Sequence, residues 1–274
     1  MSIQLIATDL DGTLMSPDHM TITDFTLNTL KKAHDKGVKI AIATGRPLSL
    51  TDSVINQIPF ADYVIYGNGA CIFDRNSNKK IYSNVISNSD SVKIIKYFLT
   101  QKVFFEIYID GKSHYQIGFD KFFKSIDMPN EFIDEVVKSL NAHKDLLEYV
   151  GQNAIEKITL YSVTDEEYPI YDAKLKEMGF STASSFKGNL EATAGSADKG
   201  TAVMELSKIL GITANEVMSF GDEGNDIPML KFAKYSFAMG NASDDAKKAA
   251  KFIAKSNAED GLAKAVEEYA LNMS

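Results

Sequence analysis

The stretch Ile3-Gln4-Leu5-Ile6-Ala7-Thr8-Asp9-Leu10-Asp11-Gly12-Thr13-Leu14 decides how the rest of the chain is read. Ile3 to Thr8 is short, apolar and β-rich, the pattern of a buried strand, and it runs straight into two aspartates and a glycine. Working outward, Thr23 to Lys36 has helical spacing through Phe25, Leu27, Leu30 and Ala33, with a threonine at its start and Gly37 at its end. Val38 to Ala43 is a second apolar run, closed by Thr44-Gly45-Arg46-Pro47. Another helical stretch leads to Tyr63-Val64-Ile65-Tyr66 and the turn Gly67-Asn68-Gly69. Strand, helix, strand, helix, strand is the order of a parallel sheet covered on both faces.

The rhythm changes near Ser83. Val103 to Ile109 is predicted as a strand, Asp110-Gly111 as a tight turn and Ser113 to Phe119 as its partner strand. Two helical stretches, a strand over Ile155 to Val163, a helix over Asp165 to Met178 and two short strands across Phe180 to Thr193 follow. This is the pattern of an α+β module with an antiparallel sheet. From Asp198 the α/β rhythm resumes: a helix to Leu210 capped by Gly211, a strand over Glu216 to Phe220, then Gly221-Asp222-Glu223-Gly224-Asn225-Asp226. A strand near Tyr235 to Ala238 and a helix over Ala258 to Leu271 close the chain. The expected fold is α/β: a Rossmann-like parallel sheet core from residues 1–83 and 190–274, with residues 84–189 inserted as an α+β domain.

Composition sets the boundaries on function. The 274 residues are 45% hydrophobic and 24% charged, which excludes an intrinsically disordered chain. A net charge of −8 argues against broad binding to nucleic acid or anionic lipid. A single cysteine, Cys71, excludes an intrachain disulfide and a cysteine-rich zinc site, and reads as a small buried hydrophobe. With no signal-peptide pattern at Met1 to Ile6 and no apolar run of about 20 residues, the expectation is a cytoplasmic protein with no membrane, nucleic-acid or obligate protein partner.

In an open parallel sheet, ligands bind at the carboxyl ends of the strands, near the point where strand order reverses. Three predicted core strands end in polar residues: Asp9/Asp11, Thr44/Gly45 and Asp222/Asn225/Asp226. Lys199, at a helix start, closes the same place from the side. Three carboxylates (Asp9, Asp11, Asp222) at one site repel each other without a cation, and an all-oxygen set that also takes a substrate phosphate suits Mg²⁺. Asp9 is then placed as a nucleophile and Asp11 as general acid and base, with Lys199 neutralising phosphoryl oxygens and Thr44 donating to them. That is machinery for phosphoryl transfer.

Neither aspartate cluster is an EF-hand loop, because Met20 and Ala233 stand where the bidentate Glu belongs. Gly195 to Gly200 is followed by Thr201 where a P-loop requires Lys, and no Gly-x-Ser-x-Gly elbow occurs. Arg46 reads either as a helix cap or surface pair or as a substrate contact. The histidines His19, His34, His114 and His143 lack metal-ligand spacing and read as structural or exposed.

Together, Asp9-Leu10-Asp11-Gly12-Thr13-Leu14, Thr44-Gly45-Arg46, Lys199-Gly200 and Gly221-Asp222-x-x-Asn225-Asp226 resemble the four ordered motifs of the haloacid dehalogenase superfamily. Asn68-Gly69-Ala70 and Asn257 to Gly261 resemble further marks of its Cof-type sugar-phosphate phosphatases. The resemblance implies an aspartyl-phosphate on Asp9, with Asp11 protonating the leaving alcohol and then activating water. It also implies Mg²⁺ held by Asp9, the Asp11 main-chain carbonyl and Asp222, with Asp226 behind them. Phosphate would contact the Leu10 amide, Thr44, Gly45, Lys199 and Asn225. Thirty-four residues lie between Asp9 and Thr44, too few for a domain, so the insertion falls where the family carries its C2-type cap. The stretch after Glu191 (Ala192-Thr193-Ala194-Gly195) departs from the bulkier residues that family shows there. The expected activity is Mg²⁺-dependent hydrolysis of small phosphomonoesters. The rivals are a phosphomannomutase-like phosphomutase and a non-catalytic sugar-phosphate-binding regulator.

Overall fold

The computed structural model describes residues 2–122 and 130–272. Five strands form early in the chain: β1 (Leu5–Thr8), β2 (Lys39–Ala43), β3 (Tyr63–Tyr66), β4 (Cys71–Asp74) and β5 (Lys79–Ser83). Six come from the middle: β6 (Phe104–Ile109), β7 (Lys112–Gln116), β8 (Asn141–His143), β9 (Lys157–Tyr161), β10 (Phe180–Ala183) and β11 (Asn189–Ala194). Three follow: β12 (Val217–Gly221), β13 (Tyr235–Ala238) and β14 (Phe252–Ile253).

They assemble into two sheets. The first has the order β14-β13-β12-β1-β2-β3-β4-β5, parallel from β14 to β3 with an antiparallel edge made by β4 and β5. Its central strands are apolar on both sides because both sides are covered. In β1, Ile6 joins the cluster of Ile40, Ile42, Met218 and Phe220, while Leu5 and Ala7 join Ala41, Ala43 and Val217 on the other face. Each such buried Leu or Ile contributes about 1.5–3 kcal/mol. The sheet's strand order reverses at β1, so the chain leaves β2 and β12 on either side of it.

The second sheet has the order β10-β11-β9-β6-β7-β8. It is antiparallel, as the alternation predicts, except that β7 and β8 run parallel. The expected boundary at residue 190 cuts through β11, which stays paired to β9 and β10 and runs to Ala194. Alternation alone does not say which of two sheets a strand joins. The strand expected over Ser113 to Phe119 ends at Gln116, and Asp120–Phe122 forms a helical turn. The helix expected from Asp165 starts at Tyr168, with Pro169 in its first turn, where the missing N–H costs nothing. The closing helix is broken into a turn at Asn257–Glu259, Gly261–Val266 and a wider final turn. Among the described residues, no helix is long and apolar enough to cross a membrane.

Candidate active site

The carboxyl ends of β1, β2 and β12 bring the predicted residues together. The Asp9 amide donates to Phe220 O at 3.1 Å, which ties the end of β1 to the end of β12. After Asp9 the chain makes a wide turn at Leu10–Leu14 in which Gly12 takes φ +80. A Cβ there would stand 2.2 Å from Asp222 Oδ2, so the glycine is required both by the turn and by the carboxylate seated against it. Thr13 Oγ1 donates to the other oxygen, Asp222 Oδ1, at 2.6 Å.

Lys199 opens the helix Lys199–Leu210 behind an Asp198 cap and is completely buried. Its Nζ donates to Asp9 Oδ1 and Asp226 Oδ1, both at 2.6 Å. Asp226 Oδ2 accepts from the amides of Asp222 (2.9 Å) and Glu223 (3.1 Å), so both of its oxygens are used inside the protein. Asp9, Asp222 and Asp226 offer carboxylate oxygens within 4.8 Å of one another, an all-oxygen donor set into which a hard divalent cation fits. Burial raises the Asp9 carboxyl above the usual range, with Lys199 opposing the rise and Asp226 and Asp11 adding to it. Burial raises Asp222 as well, reinforced by Asp9 and Asp226. Both shifts are those of carboxylates crowded together out of water.

Asp11, two residues beyond Asp9, is not one of those three carboxylates and is paired separately. Arg46 grips it in a fork, Nη2 at 2.6 Å from Oδ1 and Nε at 2.9 Å from Oδ2, and His19 Nδ1 lies 3.1 Å from Oδ1. Burial alone would raise Asp11, but the Arg46 charge and the His19 contact hold it well below the usual carboxylate range. The expected histidine assignment is corrected here: His19 lies in the site, and its hydrogen bond to Asp11 raises it above 6.5. Nothing in its local sequence marks it, because a loop places it there from eight residues away.

Thr44 is buried directly after β2, where its Oγ1 accepts from the Arg46 amide at 3.1 Å. Gly45 passes so close to Asn68 that a Cβ would stand 2.9 Å from Asn68 Oδ1. Asn225 Nδ2 donates to that same Asn68 Oδ1 (3.1 Å) and to Ser185 Oγ (3.0 Å). Leu10 is buried in the core cluster. A cavity of about 420 Å³ opens over these residues, lined from the first sheet by Asp9, Asp11, Thr44 and Asp222 and from the second by Glu106, Lys157 and Glu191.

Residues 6–266 match the family model for haloacid dehalogenase-like hydrolases. The chain belongs to that family. It is 31% identical over 98% of its length, and 98% of the other's, to the putative phosphatase YxeH of Bacillus subtilis. It is 29% identical, over 99% and 97%, to that organism's 5-amino-6-(5-phospho-D-ribitylamino)uracil phosphatase YcsE. The structure of the HAD subclass IIB sugar phosphatase BT4131 matches at TM-score 0.81 and 26% identity, over 98% and 99% of the two chains. The Cof-type resemblance seen in the motifs therefore holds, and the hydrolase is a phosphatase.

Several residues of this hydrolase's site were not singled out from its sequence. Lys157 on β9 and Glu191 on β11 form a buried ion pair. Lys157 Nζ also donates to Gly45 O at 2.8 Å, and Glu191 Oε2 accepts from Asn68 Nδ2 at 2.7 Å and Ser185 Oγ at 2.8 Å. The pair thus fastens the second sheet to the turns that carry Gly45 and Asn68. A signal existed: Lys157, Thr159 and Tyr161 alternate with Ile158 and Leu160, and a charged residue on a strand buried on both faces requires a partner.

Proposed function

We propose that this phosphatase hydrolyses small phosphomonoesters, sugar phosphates foremost, through an aspartyl-phosphate formed on Asp9 at a Mg²⁺ site. The observation that carries the reading is the Asp9 carboxylate itself. It sits at the switch point of the sheet, bound on one oxygen by a fully buried lysine, and lines the cavity with a second carboxylic acid two residues away.

Asp9, the Asp11 main-chain carbonyl and Asp222 would hold the metal, with Asp226 orienting Lys199 and the loop after β12. When bound, Mg²⁺ neutralises the carboxylates and the phosphoryl oxygens. Asp9 attacks phosphorus as the bond to the leaving oxygen breaks, and Asp11 gives that oxygen a proton. Asp11 then takes a proton from the water that attacks phosphorus, the bond to Asp9 breaks, and inorganic phosphate leaves. Lys199, Thr44, the Leu10 and Gly45 amides and Asn225 hold the phosphoryl oxygens. The Arg46 fork keeps Asp11 in the base form needed for the second half. The first half needs the acid form, so Arg46 must exchange Asp11 for the incoming phosphate, an anion it binds equally well in a fork.

Phosphate release is to be measured over a panel of sugar phosphates, nucleotides and pyridoxal phosphate, with Mg²⁺ and with chelator, using Asp9→Asn as the blank. Metal-dependent release that the variant lacks supports the reading. Release undiminished in Asp9→Asn overturns the nucleophile. No release from any ester overturns the hydrolysis, and isomerisation with total ester phosphate conserved would identify a mutase.

A further inference from the structure

The roof of the cavity is one face of the second sheet, and its residues alternate cleanly. In β6, Phe105, Ile107 and Ile109 enter the apolar cluster behind the sheet, while Phe104, Glu106 and Tyr108 line the cavity. Glu106 is 1% exposed. Its Oε1 accepts from Tyr108 Oη at 3.0 Å and from Tyr161 Oη at 2.5 Å. Its Oε2 is buried and makes no well-formed hydrogen bond among the described residues, and the neighbouring Ser113 hydroxyl, which also lowers the Glu106 carboxyl, is likewise without a well-formed partner.

No described cation pairs with Glu106. Lys157, one strand away, is committed to Glu191 and to Gly45 O. Arg46 is committed to Asp11. Beside the carboxylate runs a row of rings: Tyr115 and Phe104 have centroids 5.9 Å apart, Phe104 and Tyr161 5.8 Å, and Tyr161 and Phe186 6.2 Å. All four rings line the cavity. A buried carboxylate with spare acceptor capacity is costly unless a cation or donor meets it. Ring faces attract cations by their quadrupoles and stack against flat or apolar bodies. A carboxylate and ring faces on one wall together recognise an ammonium group.

Resting on the phosphatase reading above, we infer that Glu106 is a specificity-determining residue, and that the enzyme prefers phosphate esters whose leaving alcohol carries an amino group. The phosphate end meets Asp9 and Lys199 on the floor, and the amine meets Glu106 Oε2 and the ring row on the roof. Burial raises the Glu106 carboxyl, opposed by the Tyr161, Ser113 and Tyr108 hydroxyls and the Lys157 charge, and a bound ammonium would favour its charged form.

The test uses matched esters that differ at one group: glucosamine 6-phosphate against glucose 6-phosphate, and pyridoxamine 5′-phosphate against pyridoxine 5′-phosphate, with p-nitrophenyl phosphate as a general substrate. In the wild type, kcat/KM for the amine of at least one pair should exceed its hydroxyl partner by tenfold or more. In Glu106→Gln that ratio should fall to within about threefold of unity, the loss expected of a site whose buried acceptor has lost its charge. A ratio within one preparation is independent of how much of the variant folds. Near-equal rates in both wild-type pairs, or a preference that survives in Glu106→Gln, overturns the inference while p-nitrophenyl phosphate turnover leaves the phosphatase reading standing. Failure on every ester, p-nitrophenyl phosphate included, overturns both.

Discussion

Replacing Lys199 by methionine removes one charge and little volume from the centre of the site. Lys199 is completely buried between Asp9 and Asp226, 2.6 Å from each. Without it, those carboxylates and Asp222 stand together with no ammonium among them. Removing one partner of a buried ion pair costs about 3–5 kcal/mol, because the other charge remains out of water. An unfolding entropy of about 2.1 cal/mol/K per residue over 274 residues gives roughly 0.6 kcal/mol/K. The melting temperature in chelator at neutral pH should therefore fall by about 5–9 °C. The sign with pH follows from the shifts. Lys199 is raised above 10.5 in the folded state, so its contribution is fully present below 10.5 and is lost only as pH climbs through the folded value. Asp9 and Asp222 are raised by burial even with Lys199 in place, so both proteins gain stability as pH falls toward 5, and Lys199→Met, which lacks the opposing ammonium, should gain more, narrowing the gap between the two. Excess Mg²⁺ should restore part of the loss. Scanning calorimetry in chelator and in Mg²⁺ from pH 5 to 9 checks this, and a variant melting within about 2 °C of wild type in chelator at neutral pH would refute the argument.

Gly12→Ala should cost about 1–2 kcal/mol for a side chain held at positive φ and weaken Mg²⁺ activation at least tenfold, since its Cβ falls on Asp222 Oδ2; a metal titration of activity reads the second effect. His19 is raised by its bond to Asp11, so the His19–Asp11 contact stabilises fully below pH 6.5 and fades as pH rises through His19's folded value. The melting-temperature gap between wild type and His19→Gln should close over that window. Glu191 behaves in the opposite sense: burial would raise it, but Lys157 and its hydrogen bonds lower it below 4.5. Its contribution is present above pH 4.5 and lost as pH falls through the folded value, and acid titration of Glu191→Gln should lack that step.

How much of this was legible in the sequence depended on whether the evidence was local. The strands β1, β2 and β12 announced themselves because parallel strands buried on both faces must be apolar throughout. Their polar ends stood out against that background. The partners that complete the site are not local. Asn68 meets Glu191 across 123 positions and Lys157 meets Gly45 across 112. No periodicity predicts which charged residue on an inserted sheet will face which loop. Glu106 sat in the strand expected over Val103 to Ile109, which placed it on a face without saying what that face looked onto. The boundary expected at residue 190 falls inside β11, whose place in the second sheet is set by its pairing to β9 and β10 across a distance that local pattern does not reach.

The charges at the floor also say how phosphate must bind. Asp9, Asp222 and Asp226 set three carboxyl groups against one ammonium, and that ammonium is already shared between Asp9 and Asp226. The next cation, Arg46, is taken by Asp11. A phosphate dianion entering without metal meets net negative charge, and each like pair at about 4 Å costs roughly 4 kcal/mol at an effective dielectric near 20. A divalent cation among the carboxylates reverses that sign. Phosphate and Mg²⁺ should therefore bind with positive coupling, each raising the other's affinity by the same factor, as linkage requires. Calorimetric titration of inorganic phosphate should give an affinity at least tenfold higher in saturating Mg²⁺ than in chelator, and Mg²⁺ titrated with and without phosphate should return the same ratio. Equal phosphate affinity in the two buffers would mean that Lys199 and Arg46 let go of their carboxylates unaided, and that the ion pairs seen here are not what sets the site's charge.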